Sequence, residues 1–295
     1  MSFSATEAAF EGFRIVRRTP SAVLFWSLAY LAAMAAFFLI GGPSIVNLMG
    51  AMEGLEQTAN PGLSDFEVVG QIYAGILWWA VPLALLLSAV LSTAVARAVL
   101  RPEARAWGFM RVGADEARVI GATILVGLLM AVVYLVGGGA AFAIGAAATA
   151  TGQAVLFLVA LIVGLAAALA MIWLSIRLCL VVPATFDLKR LAFKEAWAAS
   201  RGRFWPLLGM AVIALVMSIV VSILGGIVGL PLTLATGGLQ SLARLEGSSL
   251  PEIISLAWPA ILAWSVVNAV LSSLQMAVLY APFAAAWQDI RSRQD

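Results

Sequence analysis

The chain contains no histidine and a single cysteine, Cys179. Imidazole acid–base catalysis, histidine metal ligation and the HExxH zinc site are therefore excluded. One cysteine cannot close an intrachain disulfide, and Cys179 reads as a small core or lipid-facing residue. There is no Walker loop and no dinucleotide fingerprint, and no metal or cofactor is expected. Gly137-Gly138-Gly139 follows no predicted strand and reads as membrane-packing glycine, not a phosphate cradle.

The residues with chemistry to offer are cations beside aromatic rings. Arg190, Lys194, Trp197, Arg201, Arg203 and Phe204 fall within DLKRLAFKEAWAASRGRFWPLL, residues 187–208, just after Arg177. Phe193, Trp197, Ser200 and Phe204 share one helical face, with Arg190, Lys194 and Arg201 beside it. Similar basic, aromatic stretches carry Arg14, Arg17 and Arg18 (FEGFRIVRRTPSAVLFW, from Phe10) and Arg111 (RPEARAWGFMRVGADEARV, from Arg101). Rings at the headgroup boundary and long cations reaching phosphate suit an interfacial helix. These are the candidate lipid-binding residues, with Phe193, Trp197 and Phe204 expected to face acyl chains. Arg97 and Arg177 lie near the ends of apolar runs, and two readings are open for them: snorkelling to phosphate, or an anion or headgroup contact between helices.

Acidic chemistry is sparse. Asp115, Glu116 and Asp187 could serve an enzyme acting on lipid at the membrane surface, but they more simply cap helices and pair with nearby arginines. No acid occupies the middle of an apolar run, which argues against a pump coupled through a buried carboxylate. Gln153, Ser175, Ser218, Ser222, Asn268 and Gln275 lie deep in apolar runs. Interhelical hydrogen bonding accounts for them; lining a substrate path is the alternative.

The elements that position these residues are membrane helices. Of 295 residues 63% are hydrophobic and 11% charged, against about 25% charged in soluble domains. Mean hydropathy is +1.04. So few charges cannot cover a water-facing surface, and lipid must be the solvent. A net charge of +2 offers no basic field for nucleic acid. The expected fold is an all-α polytopic membrane protein, a single integral domain over 1–295. It comprises an elbow at 2–19 with spans at about 21–40 and 68–95; an elbow at 101–117 with spans at about 119–139 and 153–182; and an elbow at 187–204 with spans at about 205–234 and 253–287. The plan resembles a three-fold repeat of elbow plus helix pair. The first run is long enough to span and is read as a retained span rather than a cleaved signal.

Three expectations concern boundaries. Gly41-Gly42-Pro43 ends the first span, with 44–55 as a short helix on the far surface. The third span turns near Gly137 or continues to about Ala148, and Pro183 closes the fourth. Pro82 kinks the second, and Pro259 or Pro282 breaks the sixth. Gly225-x3-Gly229 is a close-packing signal.

Six spans put both termini on one side. Sixteen of 17 Lys and Arg then share that side, and only Arg244 lies opposite, with Glu53, Glu56, Asp65, Glu67, Glu246 and Glu252. The positive-inside rule makes the termini and elbows cytoplasmic.

The segment RLCLVVP (Arg177 to Pro183) followed by KEAWAASRGRFWPLLG, together with GADEAR (Gly113 to Arg118), resembles bacterial six-span membrane proteins of the YciC-like group and the membrane domain fused to glycerophosphoryl diester phosphodiesterases. That resemblance implies an α-helical inner-membrane bundle and brings no catalytic residues. The expected role is a non-enzymatic membrane organiser or scaffold that binds anionic phospholipid and self-associates as a homo-oligomer. The alternative is a transporter or lipid-translocating permease.

Overall fold

A computed structural model describes residues 5–58, 62–235 and 250–293. Arg244, Glu246, residues 2–4 of the first elbow and Asn60-Pro61 of the expected far-side turn lie outside them. Among the described residues every regular element is helical: α1 (Ala5–Ala9), α2 (Glu11–Arg18), α3 (Pro20–Gln57), α4 (Leu63–Leu100), α5 (Ala114–Thr151), α6 (Ala154–Leu178), α7 (Val181–Leu188), α8 (Phe193–Ser200), α9 (Phe204–Ala235) and α10 (Leu250–Arg291). Six helical stretches are long and apolar enough to cross a membrane. This is an all-α, multi-pass membrane protein.

The long helices form three hairpins, α3–α4, α5–α6 and α9–α10. α10 is the hub, packing on α9, α3, α4 and α2. The buried residues collect at the end of the bundle where the short helices lie. One cluster joins Ala9, Leu180, Val181, Ala196, Leu207, Met210 and Ile290; a second joins Ile15, Trp26, Leu91, Val95, Phe109 and Ala281. Away from that end large apolar side chains such as Leu39, Trp78, Val136, Phe142, Leu161 and Val228 point outward. Lipid tails are as apolar as these side chains, so outward exposure carries no penalty here.

Several boundaries differ from expectation for identifiable reasons. The first helix does not stop at Gly41-Gly42-Pro43 but runs to Gln57, absorbing the predicted far-side helix. Gly41 is a packing glycine: a Cβ there would lie 2.2 Å from the Trp79 ring. Phe37 and Trp79, 5.0 Å apart between centroids, continue the α3–α4 seam at that level. The second helix accordingly begins at Leu63 rather than near 68. At about 1.5 Å per residue, α3 and α4 are each longer than the hydrocarbon thickness of about 30 Å.

α5 continues through Gly137 to Thr151, because Gly137 lets α6 approach; a Cβ there would meet the Ala167 Cβ at 2.4 Å. Its end is set by Gly152 at φ +68. Pro183 does not close the fourth span. α6 ends at Leu178, and Pro183 stands in the first turn of α7, where its missing N–H has no intrahelical partner to lose. α10 is continuous past Pro259 and Pro282.

The elbows differ most. The first is two helices, α1 and α2, one face of which packs on α9 and α10 with Ala8, Ala9, Gly12 and Ile15 buried, while Phe10, Phe13, Arg14, Arg17 and Arg18 stay exposed. A Cβ on Gly12 would meet the Ala277 oxygen and the Val278 Cα of α10, both at 2.6 Å. The second elbow is not an amphipathic helix; a turn occupies 101–113. The third is broken at Lys189, whose φ of 53 is left-handed, into α7 and α8.

The clash at Gly12 is backbone against backbone, so no side chain can yield. Gly12→Ala is expected to destabilise the purified protein by about 1–3 kcal/mol. Gly42→Ala, with nothing within 4 Å of the new Cβ, is expected to be neutral or slightly stabilising. Thermal unfolding in detergent compares the two.

Candidate functional site

The end of the bundle that holds the core also holds a buried ion pair. Arg97 stands in the last turn of α4 and Glu116 in the first turn of α5. Arg97 Nη2 donates to Glu116 Oε1 at 2.7 Å. The residues are 3% and 2% exposed. Neither open reading of Arg97 foresaw this partner, a buried carboxylate 19 residues on. Glu116 occupies the third helical position, where the amino-terminal dipole favours a negative charge. The Thr93 hydroxyl lies 3.1 Å from the same carboxylate oxygen and 2.7 Å from the Ala89 carbonyl, sharing one proton between them.

The other half of the guanidinium holds the α4–α5 turn. Arg97 Nη1 donates to the Phe109 carbonyl. Three consecutive residues there, Trp107, Gly108 and Phe109, have φ of 54, 63 and 64. Left-handed backbone at the two non-glycine residues costs of order 1 kcal/mol or more each, so the turn exists because its surroundings fix it. Trp26 Nε1 on α3 donates to the Gly108 carbonyl at 2.8 Å, Phe109 is buried, and Trp107 meets Phe25 edge-on. A Cβ on Gly108 would come within 2.7 Å of the Phe25 Cβ, so glycine is needed for space as well as for φ.

α7 lids this arrangement. The buried Phe186 ring has the Arg97 guanidinium 5.1 Å and the Arg101 guanidinium 5.0 Å from its centroid. α7 is in turn fastened by Asp187, which accepts hydrogen bonds from Trp287 Nε1 at 2.9 Å and from Arg291 of α10. The expectation that Glu116 and Asp187 pair with arginines thus has specific partners, and Asp115 pairs with Arg118 at 2.8 Å.

Arg177 sits between two tryptophans, its guanidinium carbon 4.6 Å from the Trp197 ring centroid and 5.7 Å from that of Trp173. Its Nη1 donates to Ser200 Oγ at 3.3 Å, and its Nε is buried without a hydrogen-bond partner. Trp197 packs edge-on against Trp173, and Phe193, Trp197 and Phe204 all lean on the buried cluster. The expected acyl-facing stripe is therefore half-buried packing inside the junction of α6, α8 and α9. Amphipathic spacing could not distinguish a helix lying on lipid from one lying on its own protein.

The remaining candidates are solvent-facing cations at the same end. Arg14, Arg17, Arg18, Arg111, Arg190, Lys194 and Arg201 are exposed, while Arg203 is half-buried and donates to the Ala199 carbonyl at 3.0 Å. Arg14 pairs with Glu11 at 2.9 Å and Arg190 with Glu195 at 2.6 Å. Gly225 and Gly229 are occupied within the chain: Cβ atoms there would meet Leu271 at 2.3 Å and Trp264 at 2.5 Å. Sequence reasoning missed the Arg97–Glu116 pair. Its signal was an isolated cation closing one apolar run and an acid opening the next, across a short turn.

Above this junction a cavity of about 470 Å³ lies between α4, α5, α6, α7 and α10. Its wall is mostly apolar, with Thr123, Cys179 and Tyr280 among the polar exceptions.

Removing one partner of the buried pair leaves an uncompensated charge, which costs about 3–5 kcal/mol. Glu116→Leu and Arg97→Met are each expected to lower stability on that scale, and the double variant to recover most of the loss. Denaturant titration of the four proteins gives the coupling.

Compared with protein-family models, curated proteins and solved structures, the chain finds no match.

Proposed function

We propose that this is a non-enzymatic integral membrane protein of a bacterial inner membrane, with its basic end cytoplasmic. In this reading it gathers anionic phospholipid around that end and organises the membrane, self-associating through helix faces left open to lipid. The observation that carries the reading is the segregation of charge along the bundle. Arg17, Arg105, Arg111, Lys189, Lys194 and Arg201 are exposed at the core end and form no ion pair among the described residues. Glu53, Glu56 and Glu67 are exposed at the opposite end. Cations near the cytoplasmic leaflet attract anionic headgroups with about 1 kcal/mol each.

The alternative, a transporter or lipid-translocating permease, calls for a polar path. The deep amides instead have protein partners: Gln275 donates to Ser222 Oγ, and Asn268 accepts from Ser272 at 3.2 Å. The lining of the cavity includes neither amide. The close-packing glycines, being filled by α10, are not the self-association face; the exposed α5–α6 hairpin is the better candidate.

Two measurements check this. In nanodiscs of mixed composition, lipid extraction is expected to show phosphatidylglycerol enriched around the protein. Lys189→Gln, Lys194→Gln and Arg201→Gln together are expected to remove up to about 3 kcal/mol of that preference; unchanged enrichment would count against it. In intact cells an impermeant maleimide is expected to label Ser64→Cys and spare Ser292→Cys. The reverse pattern would invert the proposed orientation.

A further inference from the structure

The cavity between α4, α5, α6, α7 and α10 is floored on the α7 side and open on another. Ala96 and Ala284 on its wall belong to a buried cluster with Val119 and Phe186, and Phe186 is the ring over the Arg97 guanidinium. The floor is therefore the roof of the ion-pair junction. The open side follows from how the hairpins pack. α10 packs on α9, α3 and α4, while the α5–α6 hairpin packs on itself and on α4, α7, α8 and α9. Among the described residues α7 bridges α5 and α10 at the floor, and no α5–α10 or α6–α10 seam of comparable extent closes the space above it. The most apolar window of the α6–α7 stretch has no buried residue. In a membrane protein that exposure is exposure to hydrocarbon, and no water is at hand to fill an apolar recess.

A volume of about 470 Å³ falls in the range of small-ligand sites, about 300–1,000 Å³. The walls suit a flexible apolar occupant, Met130 especially. Four hydroxyls break the pattern. Ser92 donates to the Ala89 carbonyl, Ser175 to the Met130 sulfur, and Tyr280 packs with Tyr30 against the Trp26 cluster. Thr123 donates to no other described residue, which leaves one donor for an acceptor on the occupant.

We propose that this cavity is a binding site for one acyl chain of a bilayer lipid, entering sideways between the α5–α6 hairpin and α10, with Thr123 available to its ester carbonyl. The site selects for the chain, not the headgroup. It requires only that the six helices span a membrane and is independent of the surface attraction to anionic lipid.

The test uses the full-length protein in phosphatidylcholine nanodiscs containing a trace of phosphatidylcholine with a diazirine on one chain. After irradiation, adducts are expected on α5 around Thr123 to Met130, on α6 around Cys179 and on α10 around Tyr280, exceeding those on the outward face around Leu161 by roughly tenfold. A phosphatidylglycerol probe is expected to give the same map, so this result stands or falls separately from headgroup enrichment. Thr123→Trp, checked for wild-type unfolding, is expected to abolish the cavity adducts. A readout without mutation comes from Cys179, the chain's one thiol: its alkylation by N-ethylmaleimide in detergent is expected to slow when phosphatidylcholine is added. Adducts spread evenly over the outward faces, or alkylation indifferent to lipid, would overturn the proposal.

Discussion

A charge pair sealed from solvent is the constraint on which this bundle's organisation depends. Isolated in hydrocarbon, neither Arg97 nor Glu116 would be tolerated; together at 2.7 Å, with a threonine hydroxyl and a backbone carbonyl completing their hydrogen bonds, they are. The pair fixes the angle between the end of α4 and the start of α5. It holds a turn whose left-handed residues would otherwise relax. It also places a cation under Phe186, so that α7 has a defined seat. Through Trp26 the first hairpin joins, and through Asp187, Trp287 and Arg291 the third.

That arrangement explains the uneven packing. In lipid there is little hydrophobic force to draw helices together, so polar contacts and close approaches of small residues decide where they meet. Both are concentrated at the junction end. Toward the opposite end each hairpin is held by its own glycines, Gly41 against Trp79, Gly137 against Ala167 and Gly225 against Leu271. A recess walled by helices of all three hairpins lies above the junction, and its floor is the same Phe186 cluster that covers the ion pair.

How much of this could be read in the sequence follows from what each signal measures. Hydropathy counts solvent preference, so the six crossings and the one-sided distribution of Arg14, Arg17, Arg18, Arg111, Arg190 and Lys194 were legible. Helix ends were not, because glycine and proline are ambiguous where lipid leaves no water to compete for the backbone. Gly41-Gly42-Pro43 looks like a terminator and is a packing notch. Amphipathic periodicity could not name the partners of the elbow rings, since Phe193 and Trp197 obey the same spacing whether they face acyl chains or pack, as Trp197 does, on Trp173. The candidate site was half legible: Arg97, Glu116 and Arg177 stood out as charges beside apolar runs, but their partners depend on the fold of a turn that no local pattern specifies. The cavity had no sequence signal, being a property of hairpins that fail to meet.

The central claim, that the Arg97–Glu116 pair holds the junction together, is tested most directly by hydrogen–deuterium exchange of wild-type and Glu116→Gln proteins in nanodiscs. If the pair governs the junction, the helical amides of α7 at 181–188 and the Met110 amide, bonded to the Trp107 carbonyl, exchange faster together in the variant, while 210–221 of α9 stays unchanged. Exchange that is unaltered, or altered only in the first turn of α5, would contradict it.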